Sequence, residues 1–263
     1  MIGSTSLITW NVNSLRVRLP HVLRWLAVHK PDVVCLQETK LPDELFPVEP
    51  LAEAGYQAAF HGQKTYNGVA ILARKALTDV RAGFDGVGDD EQKRLIAATV
   101  NGIRVVNAYV PQGSEVGSEK FAYKLSFLEQ LLRYFQAHHD PAEPLVFVGD
   151  LNVAPEPEDV FSAEEMEGQV SFHPTERAAL ETVRDWGFTD LFRRFEPGAG
   201  FYSWWDYRAG AFRRNRGLRI DHVWATAPLA ARAIECWIDR EERGQEKASD
   251  HVPVVAAFAA DVD

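Results

Sequence analysis

The sequence is poor in cysteine and has no long apolar run. Its two cysteines allow at most one disulfide in 263 residues, which excludes a disulfide-stabilised scaffold. Cys35 lies in the apolar run VVCLQ, which favours a buried free thiol and a reducing compartment. No segment approaches the roughly 20 apolar residues of a membrane helix, and MIGSTSLITWNVNSLR at the N-terminus lacks the basic start and apolar stretch of a signal peptide. We therefore expect a cytoplasmic protein that is neither secreted nor inserted in a membrane.

The sequence also lacks a net basic charge. It has 28 Lys and Arg against 38 Asp and Glu, for a formal net charge of -10 at pH 7, whereas proteins that bind a polyanion usually present clustered basic residues. The basic residues are uneven, however, because RRNRGLR at 213–219 places four arginines in seven positions. A local basic strip on an acidic body is compatible with binding a nucleic acid backbone, and an excess of carboxylates is what a metal site requires.

No stretch has the composition of a linker, and there is no internal repeat or low-complexity tract. Hydrophobic residues make up 46% and charged residues 25% of the chain, as in ordinary globular proteins. The segment PEPEDVFSAEEMEGQVSFHP at 155–174 is interpreted as a long ordered surface loop rather than a domain boundary. The sequence therefore predicts a single domain over residues 1–263.

Short β-branched and apolar runs bounded by turn residues predict a sheet-rich protein. The predicted strands are LITWNV, DVVCLQET, GVAILAR, LIAATV, IRVVNAYV, PLVFVGDLNV, RIDHVWAT and VPVVAAF. Helices are predicted at 18–29 and at 118–138, where apolar residues recur at three- and four-residue intervals. The apolar face of the second comprises Phe121, Leu125, Leu128, Leu132 and Phe135. A third helix is predicted to start at His173-Pro174-Thr175, with Thr175 as its cap, and to end at Gly187.

Polar and acidic residues stand at the ends of predicted strands, where sheet edges would direct them into one cleft. They are Asn11 and Asn13, Glu38, Asp150 and Asn152, Asp221 and His222, and Asp250 and His251. Taken singly, each is more readily explained as a turn residue or a satisfied polar group. Together they form an oxygen-rich set that suits Mg²⁺ or Mn²⁺ and lacks the thiolate or multi-imidazole spacing of a zinc site.

This composition indicates phosphoryl chemistry, because protein-bound magnesium is typically held by one or two carboxylates plus phosphate oxygens of the substrate. Asp150 or His251 would act as a general base or orient a water molecule, and Asp221 would fix the imidazole tautomer. Asn11 and Asn152 would donate to phosphoryl oxygens as charge develops on them.

Eight motifs, in order, resemble the successive signatures of the exonuclease III family of AP endonucleases, within the DNase I-like phosphodiesterase superfamily. They are TWNVNSLR (9–16), LQETK (36–40), YNGVAIL (66–72), NAYVPQG (107–113), GDLNVAP (149–155), SWWDYR (203–208), NRGLRIDHVWAT (215–226) and SDHVPV (249–254). The resemblance implies a four-layer α/β sandwich of two packed, mostly antiparallel sheets with outer helices. Periodicity alone would equally allow an open α/β sheet.

The resemblance implies a Mg²⁺-dependent DNA repair phosphodiesterase in which Mn²⁺ can substitute. Its substrate would be double-stranded DNA, cut on the 5′ side of abasic sites or trimmed of nucleotides and blocking groups at 3′ ends. We expect a monomer that associates with the nucleoid when it acts. The ratio of AP endonuclease, 3′-to-5′ exonuclease and 3′-phosphatase activities stays open, as does the number of metal ions.

Site residues are implied by the matching positions. Glu38 would bind the metal directly, and the residues around it would be Asn11, Asn13 and Asp250. Asp150 would orient or deprotonate the attacking water or act on the leaving group, and His251, supported by Asp221, would contact the scissile phosphate. Asn152 and Tyr109 would brace the phosphate or the leaving oxygen.

Substrate-binding residues are implied in the same way. A pocket that accepts a deoxyribose without its base would be lined by Trp204, Leu218 and Ile220, so that recognition rests on shape rather than base readout. The positions near the phosphates or flanking backbone are Arg16, Lys40, Tyr66 and Gln112. Charge alone adds Arg213, Arg214 and Arg216. Each of these roles has a structural alternative. Trp204 could pack in the core, and Arg213 and Arg214 could lie in a solvated loop.

Two other functions compete with this interpretation. Inositol phosphate phosphatases and sphingomyelinases share the carboxylate, Asn and SDH constellation but would lack the motifs SWWDYR and NRGLRID. A noncatalytic DNA-binding or scaffold protein of the same fold would have lost some of the metal-binding or catalytic residues, and all of them are present here.

Overall fold

The computed structural model describes residues 4–86 and 91–260, in which the chain forms two β-sheets flanked by helices. The strands are β1 (Ser4–Asn11), β2 (Val33–Gln37), β3 (Gln57–His61), β4 (Val69–Ala73), β5 (Thr78–Ala82), β6 (Leu95–Val100), β7 (Ile103–Tyr109), β8 (Leu145–Asp150), β9 (Phe188–Asp190), β10 (Asp221–Thr226), β11 (Ala233–Ile238) and β12 (Val254–Ala259). The α-helices are α1 (Leu15–His29), α2 (Val48–Glu53), α3 (Glu119–His138), α4 (Ala163–Met166), α5 (Pro174–Arg184), α6 (Leu191–Phe195) and α7 (Ala227–Ala230). Three 3₁₀ turns cover Asp43–Leu45, Pro157–Asp159 and Arg240–Gly244.

Each sheet combines antiparallel neighbours with one parallel pair. The strand orders are β11-β12-β1-β2-β4-β3 and β5-β6-β7-β8-β10-β9, and the parallel pairs are β1–β2 and β7–β8. Helix α1 connects the first pair and α3 the second, because parallel neighbours require a crossover connection. The carboxyl ends of β1, β2, β7 and β8 therefore lie at one end of the sandwich.

The packing confirms the four-layer α/β sandwich. The inner core lies between the sheets and includes Leu7, Val33, Ile71, Val105, Val148 and Val223. A second cluster packs α1 on the outer face of the first sheet through Trp25 and Leu26 against Ile8 and Val34. A third packs α3 and α5 on the second sheet through Phe127, Leu131 and Leu180 against Phe147 and Trp224.

All eight predicted strands are confirmed, whereas β3, β5, β9 and β11 were missed. Strand β5 is exposed at every residue and so lacks the alternation of a half-buried strand, while β9 has only three residues. All four are edge strands. An edge strand is less buried than a central one, so its sequence shows a weaker hydrophobic pattern.

All three predicted helices are present, but their ends, caps or buried residues differ from the prediction. Helix α5 ends at Arg184 rather than at Gly187, and its N-cap is His173 rather than Thr175, because the His173 ring accepts from the Thr175 amide. The predicted face of α3 is confirmed for Phe121, Leu128 and Phe135. The remaining buried residues are Lys124, Phe127, Leu131 and Tyr134. Leu125 and Leu132 are only partly buried.

The segment 155–174 is ordered, as predicted, but it is not merely a surface loop. It contains a 3₁₀ turn and the short helix α4, and Asp159 and Phe172 are almost fully buried. Both cysteines are free and buried. In the described part of the chain, no helix is long and apolar enough to cross a membrane.

Candidate active site

The polar strand-end residues, with the exception of His222, meet at one end of the sandwich because of strand register. The prediction was wrong for His222, because adjacent residues of a strand face opposite sides and its ring contacts Arg219 and the Val153 carbonyl instead. Asp221 at the start of β10 pairs with Asp150 at the end of β8, and Tyr109 at the end of β7 lies beside Asp150 on its other side. In the other sheet, Glu38 follows β2, while Asp250 and His251 precede β12. The two sheets thus bring side chains far apart in sequence to one place.

Asn11 connects carboxylates of the two sheets. Its amide nitrogen donates to Glu38 Oε1 at 2.9 Å and to Asp150 Oδ2 at 2.8 Å. Lys40 forms an ion pair with Glu38 at 2.9 Å and donates to Asn13 Oδ1 at 2.6 Å, and the Asn13 amide donates to Asp250 Oδ1 at 3.0 Å. One polar chain therefore runs from Asp150 to Asp250.

His251 and Asp221 form a buried pair. His251 Nδ1 lies 2.8 Å from Asp221 Oδ2, and Nε2 lies 3.6 Å from Asp150 Oδ2. Ser203 supports the pair, because its hydroxyl donates to the same Asp221 oxygen at 2.6 Å and accepts from the amide of Asp221 at 3.0 Å. The imidazole is thus held with Nε2 directed at Asp150.

We call Glu38, Asp150, Asp221, Asp250, Lys40 and His251 the acidic cluster. Burial raises the pKa of Asp150 to about 7, and the neighbouring Asp221 carboxylate adds to the rise. Burial alone would lower the pKa of His251, but the carboxylates of Asp221 and Asp150 outweigh it and raise that pKa to about 10. Burial and the carboxylates of Glu38 and Asp150 also raise the pKa of Tyr109 well above its usual value.

The acidic cluster suits a divalent cation. Ligand atoms of Glu38, Asp150 and His251 lie within 4.8 Å of one another, and carboxylate and amide oxygens are the ligands that magnesium prefers. Even with Lys40 and His251 charged, the four carboxylates carry two negative charges in excess, which equals the charge of one Mg²⁺ ion.

A pocket of about 260 Å³ opens above the acidic cluster. Its polar wall includes Glu38, Tyr109, Asp150, Asn152, Asp250 and His251, and its apolar wall is Trp204, Leu218 and Ile220. Trp204 joins the two walls, because its indole nitrogen donates to Asp250 Oδ2 at 3.0 Å and its backbone bridges to both Leu218 and His251. Trp205, by contrast, is fully buried core.

The predicted backbone-contact residues are placed unevenly. Gln112 lines the pocket, and with Tyr66, which is 67% exposed, it also lines an adjoining cleft of about 500 Å³. Arg16 is exposed, whereas Lys40 points into the acidic cluster.

The basic run at 213–219 does not form one surface strip. Arg213 and Arg214 are exposed, and Arg216 pairs with Glu165 across the Phe161 ring. Arg219 is fully buried and bonded to Asp159 and Asp190. The strip is therefore limited to the first three arginines.

Several residues of the site escaped the sequence reasoning. Ser203 and Ser249 lie within the motifs SWWDYR and SDHVPV, and Ser249 Oγ donates to the Asn11 carbonyl at 2.7 Å. Ser171 lines the pocket with a φ of 73°, in a loop whose sequence carries no signal for it. The Arg94 guanidinium lies 4.7 Å from the Tyr109 ring centroid. Arg94 directly precedes the apolar run LIAATV, which predicts a strand and gives no indication of a site residue.

Comparison with known proteins places this geometry in a family. The sequence pattern of the Endonuclease/Exonuclease/phosphatase family matches residues 8–251, so the chain belongs to that family. Exodeoxyribonuclease III of Haemophilus influenzae is 39% identical over 264 residues, covering 95% of this chain and 98% of that protein. The exodeoxyribonuclease of Bacillus subtilis is 34% identical over 251 residues, covering 94% and 97%.

Solved structures agree with the sequence relatives. An AP endonuclease from Archaeoglobus fulgidus superposes with a TM-score of 0.94 at 44% identity, covering 97% of this chain and 99% of that one. The 3′ phosphatase NExo from Neisseria, bound to a product DNA hairpin, superposes with a TM-score of 0.93 at 40% identity, covering 97% and 99%. The shared fold is thus the one inferred from the eight motifs.

Proposed function

We propose that the acidic cluster is the centre of a magnesium-dependent DNA repair phosphodiesterase. The chain is an AP endonuclease and 3′-to-5′ exonuclease of the exodeoxyribonuclease III type, in keeping with relatives that cover nearly its whole length. The observation that carries the role of the site is an excess of carboxylates on the floor of a pocket with one apolar wall. A phosphate and its cation fit the floor, and a sugar fits the wall.

Glu38, with Asp250 and Asn13 beside it, would hold the magnesium ion, which supplies Lewis-acid activation of the phosphate and for which Mn²⁺ should substitute. Asn11 keeps the carboxylates of Glu38 and Asp150 at a fixed spacing through its two hydrogen bonds. Whether one or two ions act in a turnover is decided by titration rather than by this arrangement.

Asp150 is proposed as the general base. A carboxyl whose pKa is raised by burial to about 7 is matched to accepting a proton from water near neutral pH. His251 is proposed as a cationic donor to a phosphoryl oxygen through Nε2, because its pKa, raised to about 10 by Asp221 and Asp150 against the effect of burial, keeps it charged. Asp221 holds its ring in position.

Asn152 and Tyr109 would brace the phosphate or leaving oxygen from the second sheet. The Asn152 side chain donates to the Val110 carbonyl at 2.9 Å, which ties it to the loop after β7. The Arg94 guanidinium over the Tyr109 ring fixes the position of the phenol.

The apolar wall supports selectivity for an abasic sugar or a 3′-terminal sugar. Trp204, Leu218 and Ile220 offer surface to a deoxyribose, and flipping a nucleotide out of a duplex costs least where no base is stacked. Removal of a 3′ phosphate is a second activity of the same pocket, favoured by the likeness to the Neisseria 3′ phosphatase. We also propose that the protein acts as a monomer on DNA in the cytoplasm, at the nucleoid.

The test uses a labelled duplex with one internal abasic-site analogue beside an undamaged blunt duplex and a 3′-phosphate end, each with magnesium and with EDTA. Magnesium-dependent nicking on the 5′ side of the analogue is expected, with shortening of the undamaged strand giving the exonuclease share. If no DNA is cut, inositol phosphates and phospholipids become the substrates to assay.

A further inference from the structure

A charged residue lies on the buried face of α3. The side chains of Lys124 and of its ion-pair partner Glu176, on α5, are both 0% exposed. Buried ion pairs often stabilise a protein no more than apolar residues of similar size would. A lysine retained where the helix pattern calls for an apolar residue therefore points to a purpose other than stability.

The ammonium of Lys124 joins two loops that line the pocket to helix α5. It donates to the carbonyl oxygen of Asn152 at 2.7 Å and to that of Gln112 at 3.2 Å, and it forms the ion pair with Glu176. Of the three donors of a lysine ammonium, two thus bond carbonyl oxygens, and the charge is paired with the Glu176 carboxylate. Glu176 in turn accepts from the backbone amide of His173 at 2.9 Å, at the end of the loop that carries Ser171.

The backbone beside both carbonyl oxygens has an unusual conformation and lies close to Lys124. Asn152 has a φ of 53°, a left-handed conformation that non-glycine residues seldom adopt. Gly113, next to Gln112, has a φ of 96°, and a side chain there would meet Lys124 Cδ at 3.2 Å. The loops after β7 and β8 are therefore folded closely around the Lys124 side chain.

We propose that Lys124 is a positioning residue of the nuclease site. Its ammonium fixes the Asn152 and Gln112 main chain so that both side chains face the phosphate, and Glu176 makes the buried charge tolerable. The inference rests on the proposed function of the pocket. Lys124 touches neither the substrate nor the acidic cluster and acts through the backbone of residues that do.

The test separates this role from simple stabilisation. Lys124→Met leaves Glu176 buried without a partner and should lower both Tm and kcat. Lys124→Met/Glu176→Gln removes the unpaired charge, so Tm should return close to that of the wild type. Its kcat should stay about 10- to 100-fold low, with KM changed less than about 3-fold, because a displacement of about 1 Å in the site is costly to rate.

Two further variants serve as controls. Arg104→Met, at the opposite end of β7, removes a cation that donates to the Asp79 carbonyl at 2.7 Å and pairs with its carboxylate; it should lower Tm with kcat unchanged. Glu176→Gln alone keeps both carbonyl hydrogen bonds of Lys124 and should lower Tm with little loss of kcat.

Recovery of kcat together with Tm in the double variant would overturn the proposal, and so would a loss of kcat in Glu176→Gln as large as that in Lys124→Met. Hydrogen exchange of the amides at 110–114 and 149–154 gives a readout independent of DNA. It should be faster in the double variant than in wild type, and unchanged exchange would also overturn the proposal. A wild-type protein that cuts no DNA refutes the proposed function instead.

Discussion

Two buried charge clusters lie on opposite faces of β10, and they differ in charge balance. The acidic cluster includes Asp221, whereas the next residue, His222, belongs to a second group. We call that group the arginine cluster: Asp159, Asp190, Arg193, Arg219 and His222. With His222 neutral, its two carboxylates face two guanidinium groups, and its charge is balanced by the chain itself.

The pKa values report the difference. Burial would raise the pKa of Asp159 and Asp190, but the Arg219 guanidinium holds both below their usual value. Burial raises the pKa of Asp150 to about 7, and Asp221 adds to this rise. The two carboxyls bonded to the Arg219 guanidinium thus have lowered pKa values, whereas the pKa of Asp150 stays raised although His251 lies 3.6 Å away.

The difference teaches how to separate a structural charge cluster from a functional one. Arg219 and Asp159 fix the loop that follows β8 to the segment carrying Leu218 and Ile220, and they need nothing from outside. The acidic cluster has two more negative than positive groups, and a divalent cation would balance this excess. A pocket carboxyl whose pKa is raised by burial beside specific charged neighbours, as that of Asp150 is, marks a candidate functional group.

The largest expected effect is on the rate of DNA cleavage, which should depend on the acidic cluster and not on the arginine cluster. Asp150→Asn and His251→Ala should each lower cleavage of an abasic duplex by about 10²- to 10⁴-fold, the usual range for losing an acid or base. Duplex affinity should stay within a few-fold, because neither residue is the main contact with the backbone. Single-turnover cleavage and fluorescence anisotropy measure the two quantities.

Asp190→Asn is the control from the arginine cluster, and its folded fraction should cut at nearly the wild-type rate. A near-normal cleavage rate in Asp150→Asn would show that Asp150 takes no part in the reaction. The acidic cluster would then not differ in function from the arginine cluster.

The next effect concerns stability. Asp159→Asn should lower the free energy of unfolding by about 3–5 kcal/mol, because it leaves Arg219 buried with too few counter-charges. Asp150→Asn, measured in EDTA, should leave stability unchanged or raise it by about 1 kcal/mol, since it relieves repulsion among carboxylates. Urea unfolding of both variants gives the comparison, and equal destabilisation by the two would show that the acidic cluster is as well balanced as the other.

Metal binding gives a smaller effect that only one cluster should show. Magnesium should raise the Tm of the wild type by binding the folded state, and Glu38→Ala should raise the concentration needed for half-maximal cleavage by about 10-fold or more. Asp190→Asn should keep the wild-type magnesium dependence of both quantities. Identical titrations for Glu38→Ala and wild type would place the ion elsewhere.

The sequence was sufficient for all members of the acidic cluster except Lys40, because they stand at strand ends within short motifs, whereas Lys40 was predicted to contact the DNA backbone and pairs with Glu38 instead. Asp150 and His251 each follow or precede an apolar strand, and that position alone directs them to one cleft. The strand order and register that bring Asp221 opposite Asp150 came from the resemblance rather than from the periodicity.

The arginine cluster and Lys124 could not be predicted in this way. Asp159 and Arg219 are 60 positions apart, and each belongs to a segment that looks solvated, a loop and a basic run. Lys124 lies in an amphipathic helix in which either of two neighbouring faces could be the buried one. Packing against α5 decides which face is buried, and Lys124 lies on that face. Long-range pairing of charges leaves no periodic trace in a single sequence.

The pH dependence of stability in EDTA tests whether the acidic cluster holds His251 as a cation. The pKa of His251 is raised to about 10 by Asp221 and Asp150 although burial opposes this, so its contribution is complete below its unfolded pKa near 6.5. That contribution should be lost progressively as pH rises through the range from about 7 to 10. His222→Gln should not alter this window, because burial and Arg219 lower the His222 pKa to about 4 and the ring is neutral in both states above pH 7. His251→Gln should flatten the decline in Tm over this range, and a decline of wild-type steepness in that variant would mean that the acidic cluster does not hold His251 as a cation.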